Sequence, residues 1–372
     1  MYGCRQACKI FTDGLAAYLT SIHFSRLPSD PCSFILHSNK NPQHFVLLVI
    51  TVDDFLVVTN HTPLSNQVRN QLSRKYKLKD LGRVQHLLGW KITHSTEGIT
   101  ISQPSYIQEL LDKYGLTNAK TFSSPIASEL ITLDTTSAKP LDENTHDYKG
   151  VIGSLRYLAD STRPDISFIV GFLSRSAHQP TTHDWKSAIR VLRYLKGTKD
   201  TGITFPRNFT SAISAYSDSD HAACPSTRRS TTGSIIFYNN APISWQSKRQ
   251  RSVSPSTFAA EYVASFHTTE LLRTVSNFFT DLNHPIPTPI PLYIDNAAAI
   301  TTAKAKFPTP KSRHIDVKYH WLREQVHNNF ILPTHIPTTS NPADLLTKAL
   351  KPAQYTSKHP LLRLTTPTVR GD

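Results

Sequence analysis

The feature that most constrains this chain is the segment 212–220, in which a strand pattern runs directly into carboxylates. Ile213 and Ala215 alternate with small polar residues, which is typical of a short half-buried strand. Asp218 and Asp220 end that strand, and the alternation of side chains places both on one face. A carboxylate at the end of a buried strand is costly to desolvate unless a cation meets it. The segment therefore predicts a cation-binding strand end.

Three more acidic residues occupy comparable positions later in the chain. Glu261 opens an apolar helix-like run, Asp295 follows the predicted strand 291–294, and Asp344 lies at the start of a late helix. Hard divalent cations prefer carboxylate oxygens, and two such ions at a hydrolytic site lie about 3.5–4 Å apart. The candidate catalytic and metal-binding residues are therefore Asp218, Glu261, Asp295 and Asp344. Asp220 is the alternative to Asp218.

The order of these elements resembles the ribonuclease H domain of copia-type LTR retrotransposon polyproteins. A predicted hairpin with the two-residue turn Asn239-Asn240 follows the first strand, and a helix, a strand and a late helix come next. Seven segments carry the resemblance in the same order: 216–220, 227–233, 243–248, 260–262, 295–296, 313–320 and 343–348. The resemblance implies a mixed five-stranded sheet with flanking helices that hydrolyses the RNA of RNA–DNA hybrids. It also implies two ions as cofactors, Mg²⁺ or Mn²⁺.

The same resemblance implies a role for each acid. Asp218 would bridge both ions, and Glu261 and Asp295 would complete their coordination. Asp344, on a late helix that can move, would bind the ion on the nucleophile side. His221 and Ala259 replace a Trp and a Glu that are common in the family, so the surroundings of the acids differ.

The first third of the chain resembles the reverse transcriptase of the same polyproteins. Two β-rich runs, 45–50 and 55–58, flank Asp53 and Asp54, which predicts a hairpin with paired acids at its tip. Segments 2–6 and 51–54 match family motifs with substitutions. In the family, the third polymerase carboxylate and the fingers precede the part matched here. We therefore expect Asp53 and Asp54 to form a polymerase remnant without polymerase activity.

These patterns predict a fold of the α+β or α/β class in four parts. A truncated reverse transcriptase, with a partial palm and missing fingers, is expected in 1–125. A linker and connecting helices follow in 126–205, and a ribonuclease H-like domain in 206–350. Residues 351–372 are expected to form a poorly ordered tail.

The formal net charge of +14 and the pI near 9.6 fit a polyanionic partner, although a basic protein without such a role also fits. Phosphates of a hybrid would need cationic partners near the acids. The candidate nucleic-acid-binding residues are Arg228, Arg229, Lys248, Arg249, Arg251, Lys311 and Arg313. A second basic set, Arg190, Arg193 and Lys196, is predicted on one face of a helix and is either solvated or in contact with a duplex.

No apolar run is long enough to span a bilayer, no charged-then-apolar leader follows Met1, and the four cysteines show no disulfide or metal spacing. We expect a soluble intracellular protein, cytoplasmic or nuclear, without a membrane partner; the sequence indicates no oligomeric state. Two other hypotheses stay open beside the hybrid nuclease. One is a non-catalytic nucleic-acid-binding relic, and the other is a degenerate product without a folded palm.

Overall fold

The computed structural model of the chain describes residues 7–51, 54–126, 139–142, 144–208, 210, 212–224, 226–305 and 316–367. They fall into two compact units, a smaller one within 1–84 and 273–286 and a larger one within 85–272 and 287–372. The helices of the described residues are α1 (Ala7–Ser21), α2 (Thr62–Lys75), α3 (Pro104–Lys113), α4 (Tyr148–Ser161), α5 (Ser167–Leu173), α6 (Thr182–Gly197), α7 (Thr257–Asp281), α8 (Ala297–Lys304), α9 (Asp316–His327) and α10 (Pro352–Lys358). None of these helices has the length and apolar character needed to cross a lipid bilayer.

The smaller unit is built on a four-stranded antiparallel sheet with the order β1-β2-β3-β4. Its strands are β1 (Ser25–Arg26), β2 (Ser33–His37), β3 (Phe45–Thr51) and β4 (Asp54–Thr59). Helices α1 and α2 bury Leu15, Leu19 and Val68 in one core with Phe34 and Leu48 of the sheet. Strands β3 and β4 pair in register up to Thr51 and Asp54, so the hairpin predicted at this position is confirmed.

The larger unit contains two sheets. The first has the order β14-β8-β7-β6-β5, and every pairing in it is antiparallel. Its strands are β5 (His86–Leu87), β6 (Trp90–His94), β7 (Gly98–Ser102), β8 (Gly202–Pro206) and β14 (Leu364–Thr365). The last strand comes from the C-terminal segment, so residues far apart in the sequence close this sheet.

The second sheet of the larger unit has five strands in the order β11-β10-β9-β12-β13. Its strands are β9 (Ile213–Ser219), β10 (Thr231–Tyr238), β11 (Ala241–Arg249), β12 (Ile290–Ile294) and β13 (Ile331–His335). β9 pairs antiparallel with β10 and parallel with β12, so the sheet is mixed and Asp218 lies on its central strand, as predicted. Six of the seven residues of β9 are buried. The expectation of a half-buried strand was therefore wrong, because a central strand with a parallel neighbour is covered on both faces.

The turn between β10 and β11 forms where the sequence predicts it. Tyr238 pairs with Ala241, which leaves Asn239 and Asn240 as the two turn residues. Their φ angles are 48° and 68°, and positive φ at both positions is the geometry that two-residue hairpins favour. Asparagine tolerates this left-handed region better than most residues, which explains how the sequence specifies the turn.

Helices α4, α5 and α6 pack into the main core of the larger unit, with Leu155, Val170 and Leu192 fully buried. The basic face of α6 is turned towards the preceding loop. Arg193 Nε donates to the carbonyl oxygen of Lys120 at 2.6 Å, and Lys196 Nζ donates to that of Ala119 at 2.8 Å. These two side chains are therefore engaged within the unit, which weakens the hypothesis that this face contacts a duplex.

A fully buried ion pair joins the helical part of the larger unit to the C-terminal segment. Arg163 donates to both carboxylate oxygens of Asp165, at 3.0 and 2.7 Å. Tyr194 donates to the same carboxylate at 2.6 Å, and Tyr355 donates to the Asp165 carbonyl oxygen at 3.2 Å. Burial disfavours the charged form of Asp165, but the Arg163 guanidinium and His359 outweigh it and hold the pKa of Asp165 well below its usual range.

The C-terminal segment is ordered over 352–365, contrary to expectation. It forms α10, a 3₁₀ turn at His359–Leu362 and strand β14, which pairs with β8. Tyr355 and Leu362 are buried, and this apolar burial offsets the entropy of ordering the segment. The expected boundary between a ribonuclease H-like domain and a tail at residue 350 stays a prediction, as do the other domain boundaries.

Candidate metal centre

The parallel register of β9 and β12 brings two of the predicted acids to one edge of the sheet. Ser217 pairs with Ile294. Asp218 and Asp295 are the next residues along the two strand directions, so they meet at the carboxyl edge of the sheet. This is a direct consequence of parallel pairing, in which the carboxyl ends of neighbouring strands lie side by side.

The third acid comes from helix α7. Glu261 lies in the first turns of this helix, and its Oε1 accepts a hydrogen bond from the backbone N–H of Ser219 at 3.1 Å. That bond fixes the helix start against the end of β9. One carboxylate oxygen from each of Asp218, Glu261 and Asp295 lies within 4.8 Å of the other two. Three of the four predicted acids therefore converge on one point.

The acids of this cluster are close together and largely shielded from solvent. Asp218 and Glu261 are each 3% exposed. Burial, together with the charges of Asp344 and Asp295, raises the pKa of Asp218 to about 6 although Thr347 donates a hydrogen bond to it. Burial and the charges of Asp218 and Asp295 raise the pKa of Glu261 well above its usual value. Asp218 and Glu261 therefore hold protons at a pH where ordinary carboxylates have lost them.

The donor set fits a hard divalent cation. Glu261 Oε2 is buried and has no hydrogen-bond partner among the described residues. An orphaned buried carboxylate oxygen is costly, and a cation at the convergence point would remove that cost. Carboxylate oxygens are also the ligands that Mg²⁺ and Mn²⁺ prefer.

Asp344 lies next to this cluster in a different setting from the one expected. It belongs to a five-residue 3₁₀ helix, Pro342–Leu346, rather than to a longer helix. Its carboxylate is paired with Lys348 through one oxygen and with Lys358 Nζ at 2.6 Å through the other. It is outside the group of three acids that share a common point in the described residues. Its role as a metal ligand stays a prediction.

Three residues that sequence reasoning did not single out position this short helix. Asn341 caps it and donates from Nδ2 to the carbonyl oxygen of Ser217 at 2.9 Å. Thr347 donates from Oγ1 to Asp218 Oδ2 at 2.6 Å. Gly233, which pairs with Asp218, leaves room for the helix, because a Cβ there would lie 2.5 Å from the Ala343 carbonyl oxygen. An Asn before a Pro is a helix-start signal that sequence reading could have used.

Asp220, the alternative to Asp218, uses both its side chain and its backbone in hydrogen bonds with Thr231. Its carboxylate accepts a hydrogen bond from the backbone N–H of Thr231, and its own N–H donates to the Thr231 carbonyl oxygen at 3.1 Å. Burial raises its pKa in spite of the hydrogen bonds from Thr231. This geometry favours Asp218 over Asp220 as the ligand on the central strand.

Known proteins similar to the chain include Pol polyproteins of transposons. Residues 1–128 match the family model described as reverse transcriptase (RNA-dependent DNA polymerase). The chain is 32% identical over 356 residues to the retrovirus-related Pol polyprotein from transposon TNT 1-94 of Nicotiana tabacum, covering 94% of this chain and 26% of the relative. It is 30% identical over 270 residues to the putative transposon Ty5-1 protein YCL074W of Saccharomyces cerevisiae, covering 72% of this chain and 86% of that protein.

The chain belongs to the copia-type retrotransposon Pol family. It spans about a quarter of the length of the plant Pol polyprotein from TNT 1-94. Among solved structures, it is similar to LC11-RNase H1, isolated from compost, with 16% identity, a TM-score of 0.30, and coverage of 37% of this chain and 94% of that one.

The structure brings together two of the three basic clusters predicted in this Pol family chain. The strand pairing of Thr231 with Arg249 sets the Arg228-Arg229 turn beside the segment that contains Lys248 and Arg251. Arg228, Lys248 and Arg251 are exposed, and Arg229 and Arg249 are partly buried. Lys311 and Arg313, the third cluster, lie outside the described residues. Arg228 and Arg229 lie within the connection from β9 to β10 that begins at Asp220, and the second cluster lies at the end of β11.

The polymerase motif of the Pol family is only partly described. Asp54 is exposed at the first position of β4. Asp53 and the 2–6 segment lie outside the described residues. The structure places Asp54 opposite Thr51 in the β3–β4 pair. The pairing of Asp53 and Asp54 as a polymerase site stays a prediction.

Proposed function

We propose that the larger unit is a ribonuclease H-like domain that hydrolyses the RNA strand of RNA–DNA hybrids with two divalent ions, Mg²⁺ or Mn²⁺. The observation that carries the proposal is the convergence of Asp218, Glu261 and Asp295 within 4.8 Å at one edge of the mixed sheet. The substrate follows from the family: RNA-dependent DNA synthesis produces RNA–DNA hybrids, and a nuclease in the same polyprotein would act on that product. The antiparallel sheet of the smaller unit is, in the same proposal, part of a polymerase palm.

Two bound ions would activate the attacking water and stabilise the leaving oxygen of the phosphodiester. Asp218 would contact both ions, and Glu261 and Asp295 would complete their coordination. Thr347 holds Asp218 Oδ2 at 2.6 Å, and Ser219 N–H holds Glu261 Oε1 at 3.1 Å, so each carboxylate keeps one oxygen oriented. Both buried acids have raised pKa values and must lose their protons to bind an ion, so the affinity of the site for the ion should fall as the pH is lowered.

The exposed cations Arg228, Lys248 and Arg251 would hold the phosphates of the hybrid. Such contacts position a duplex without reading its bases, which suits a nuclease that cuts any sequence. Each phosphate contact releases counterions, so we expect hybrid binding to weaken steeply as salt rises.

The test is cleavage of an RNA–DNA hybrid labelled on its RNA strand, with duplex DNA of the same sequence as the control substrate. The wild-type protein should cut the RNA strand in Mg²⁺ or Mn²⁺. Asp218→Asn and Asp295→Asn should each abolish cleavage and leave hybrid binding unchanged or tighter, because each removes a ligand and also a negative charge that faces phosphates. Asp160→Asn, at an exposed carboxylate paired with Arg156, is the matched control and should cut like the wild type.

Two results would contradict the proposal in different ways. Wild-type protein that binds hybrid and never cuts it in either ion would support the non-catalytic binding relic instead. Cleavage that persists in both Asp218→Asn and Asp295→Asn would place the chemistry at another site.

A further inference from the structure

A lysine from the C-terminal helix connects the acids of the proposed centre. Lys358 is the last residue of α10, and its side chain is 15% exposed. Its Nζ donates to Asp344 Oδ2 at 2.6 Å and to the carbonyl oxygen of Thr338 at 2.8 Å. One ammonium group therefore joins the short helix that contains Asp344 to the 3₁₀ turn Thr338–Ser340.

The same 3₁₀ turn also donates a hydrogen bond to one of the three converging acids. Thr338 donates from Oγ1 to Asp295 Oδ2 at 2.8 Å. A continuous series of contacts thus runs from Asp344 through Lys358 and Thr338 to Asp295. Because the two acids lie on different elements, this series fixes the position of Asp344 relative to the three acids that converge.

The two lysines on Asp344 are not equivalent. Asp344 is 1% exposed, so an uncompensated charge on it would be costly. Lys348 is 43% exposed and lies only four residues from Asp344 along the chain. Lys358 is more buried and comes from a helix that Tyr355 anchors to the Asp165 carbonyl oxygen. Of the two lysines that contact Asp344, Lys358 is therefore the one that comes from a separate, anchored helix.

We propose that Lys358 is a positioning residue, which holds Asp344 at the distance from Asp218, Glu261 and Asp295 that a second ion requires. This inference rests on the proposed two-ion centre. It extends that centre into the C-terminal segment, beyond the sheet that provides the three converging acids. Residues that orient metal ligands typically contribute about 10–100-fold to metal affinity or activity. Loss of Lys358 weakens the ion at Asp344 by that factor and leaves the ion at the three converging acids in place.

The experiment is a Mn²⁺ titration of the full chain followed by electron paramagnetic resonance of the free ion, which needs no activity. Wild type should bind two ions of different affinity. Lys358→Met and Lys358→Gln should weaken the lower-affinity site by about 10–100-fold and keep the higher-affinity site at its wild-type strength. Lys358→Arg, which keeps the charge and the donors, should restore most of the lost affinity. Lys351→Met, at the exposed residue that precedes α10, is the control and should bind like wild type.

The outcomes separate this inference from the proposed function. Wild-type protein that binds two ions but cuts no hybrid would contradict the proposed activity and leave the role of Lys358 standing. Equal or tighter binding at the lower-affinity site in Lys358→Met and Lys358→Gln would overturn the positioning role. A wild type that binds a single Mn²⁺ would also overturn it, because Asp344 would then hold no ion.

Discussion

Alanine at position 233 should disturb the metal centre from the neighbouring strand. Gly233 pairs with Asp218, and a Cβ there would lie 2.5 Å from the Ala343 carbonyl oxygen and 2.7 Å from Thr347 Cγ2. Real Cβ atoms do not approach backbone this closely, so the 3₁₀ helix with Asp344 must move. Overpacking of this kind costs about 1–3 kcal/mol, and the lower entropy of the unfolded alanine chain offsets about 0.4–1 kcal/mol.

The net destabilisation of Gly233→Ala is therefore about 0–2.6 kcal/mol, and its mid-range value of about 1.3 kcal/mol lowers the melting temperature by about 3–5 °C. Calorimetry in EDTA measures that shift, and a Mn²⁺ titration should show weaker binding because the displaced helix precedes Thr347, the hydrogen-bond donor to Asp218. Gly153→Ala is the control: position 153 is exposed within α4, nothing lies within 4 Å of its added Cβ, and we expect a gain of about 0.5–1 kcal/mol. A Gly233→Ala protein that melts and binds Mn²⁺ like wild type would refute this reasoning.

Three further predictions follow from the charges of the chain. Asp165→Asn should lower the free energy of unfolding in urea by about 3–5 kcal/mol because it leaves the fully buried Arg163 without a counter-ion. Asp160→Asn, in an exposed pair, should cost less than about 1 kcal/mol. Asp218 has a pKa of about 6 in the folded chain and about 3.9 when unfolded, so its contribution to stability without metal falls as pH rises between these values. Asp218→Asn should therefore raise the melting temperature in EDTA at pH 8 and not at pH 4, and a constant difference across that range would contradict the raised pKa. A polypeptide of these 372 residues should incorporate no nucleotide on a primed RNA template. Asp53 and Asp54 come from one predicted hairpin, whereas nucleotidyl transfer needs ions held from both sides of the nucleotide. Primer extension that disappears with Asp53→Asn would contradict this prediction.

Local patterns predicted the elements that carry the acids. Alternating residues before Asp218, the Asn239-Asn240 turn and the apolar run after Glu261 are short-range signals, and the structure forms a strand, a hairpin and a helix at those places. The meeting of Asp218 and Asp295 follows once the two strands are parallel neighbours. The sequence-level family resemblance provided that pairing, since periodicity alone does not specify strand order.

Long-range packing accounts for what the sequence did not show. Lys358 and Thr338 are unremarkable in the sequence, and their contacts with Asp344 and Asp295 exist only because α10 folds back onto the sheet. Helical periodicity allowed the basic face of α6 to contact a duplex. In the structure, Arg193 and Lys196 instead donate to backbone carbonyl oxygens of a loop more than 70 residues earlier. A charged helix face and the backbone carbonyls of a distant loop give no joint signal along the chain.

The most direct test of the two-ion centre is anomalous diffraction from crystals of the protein grown with Mn²⁺. One Mn²⁺ peak should lie about 2 Å from carboxylate oxygens of Asp218, Glu261 and Asp295, and a second should lie within about 4 Å of the first, on the side of Asp344. Well-ordered crystals at saturating Mn²⁺ with no peak between these three acids would contradict the account.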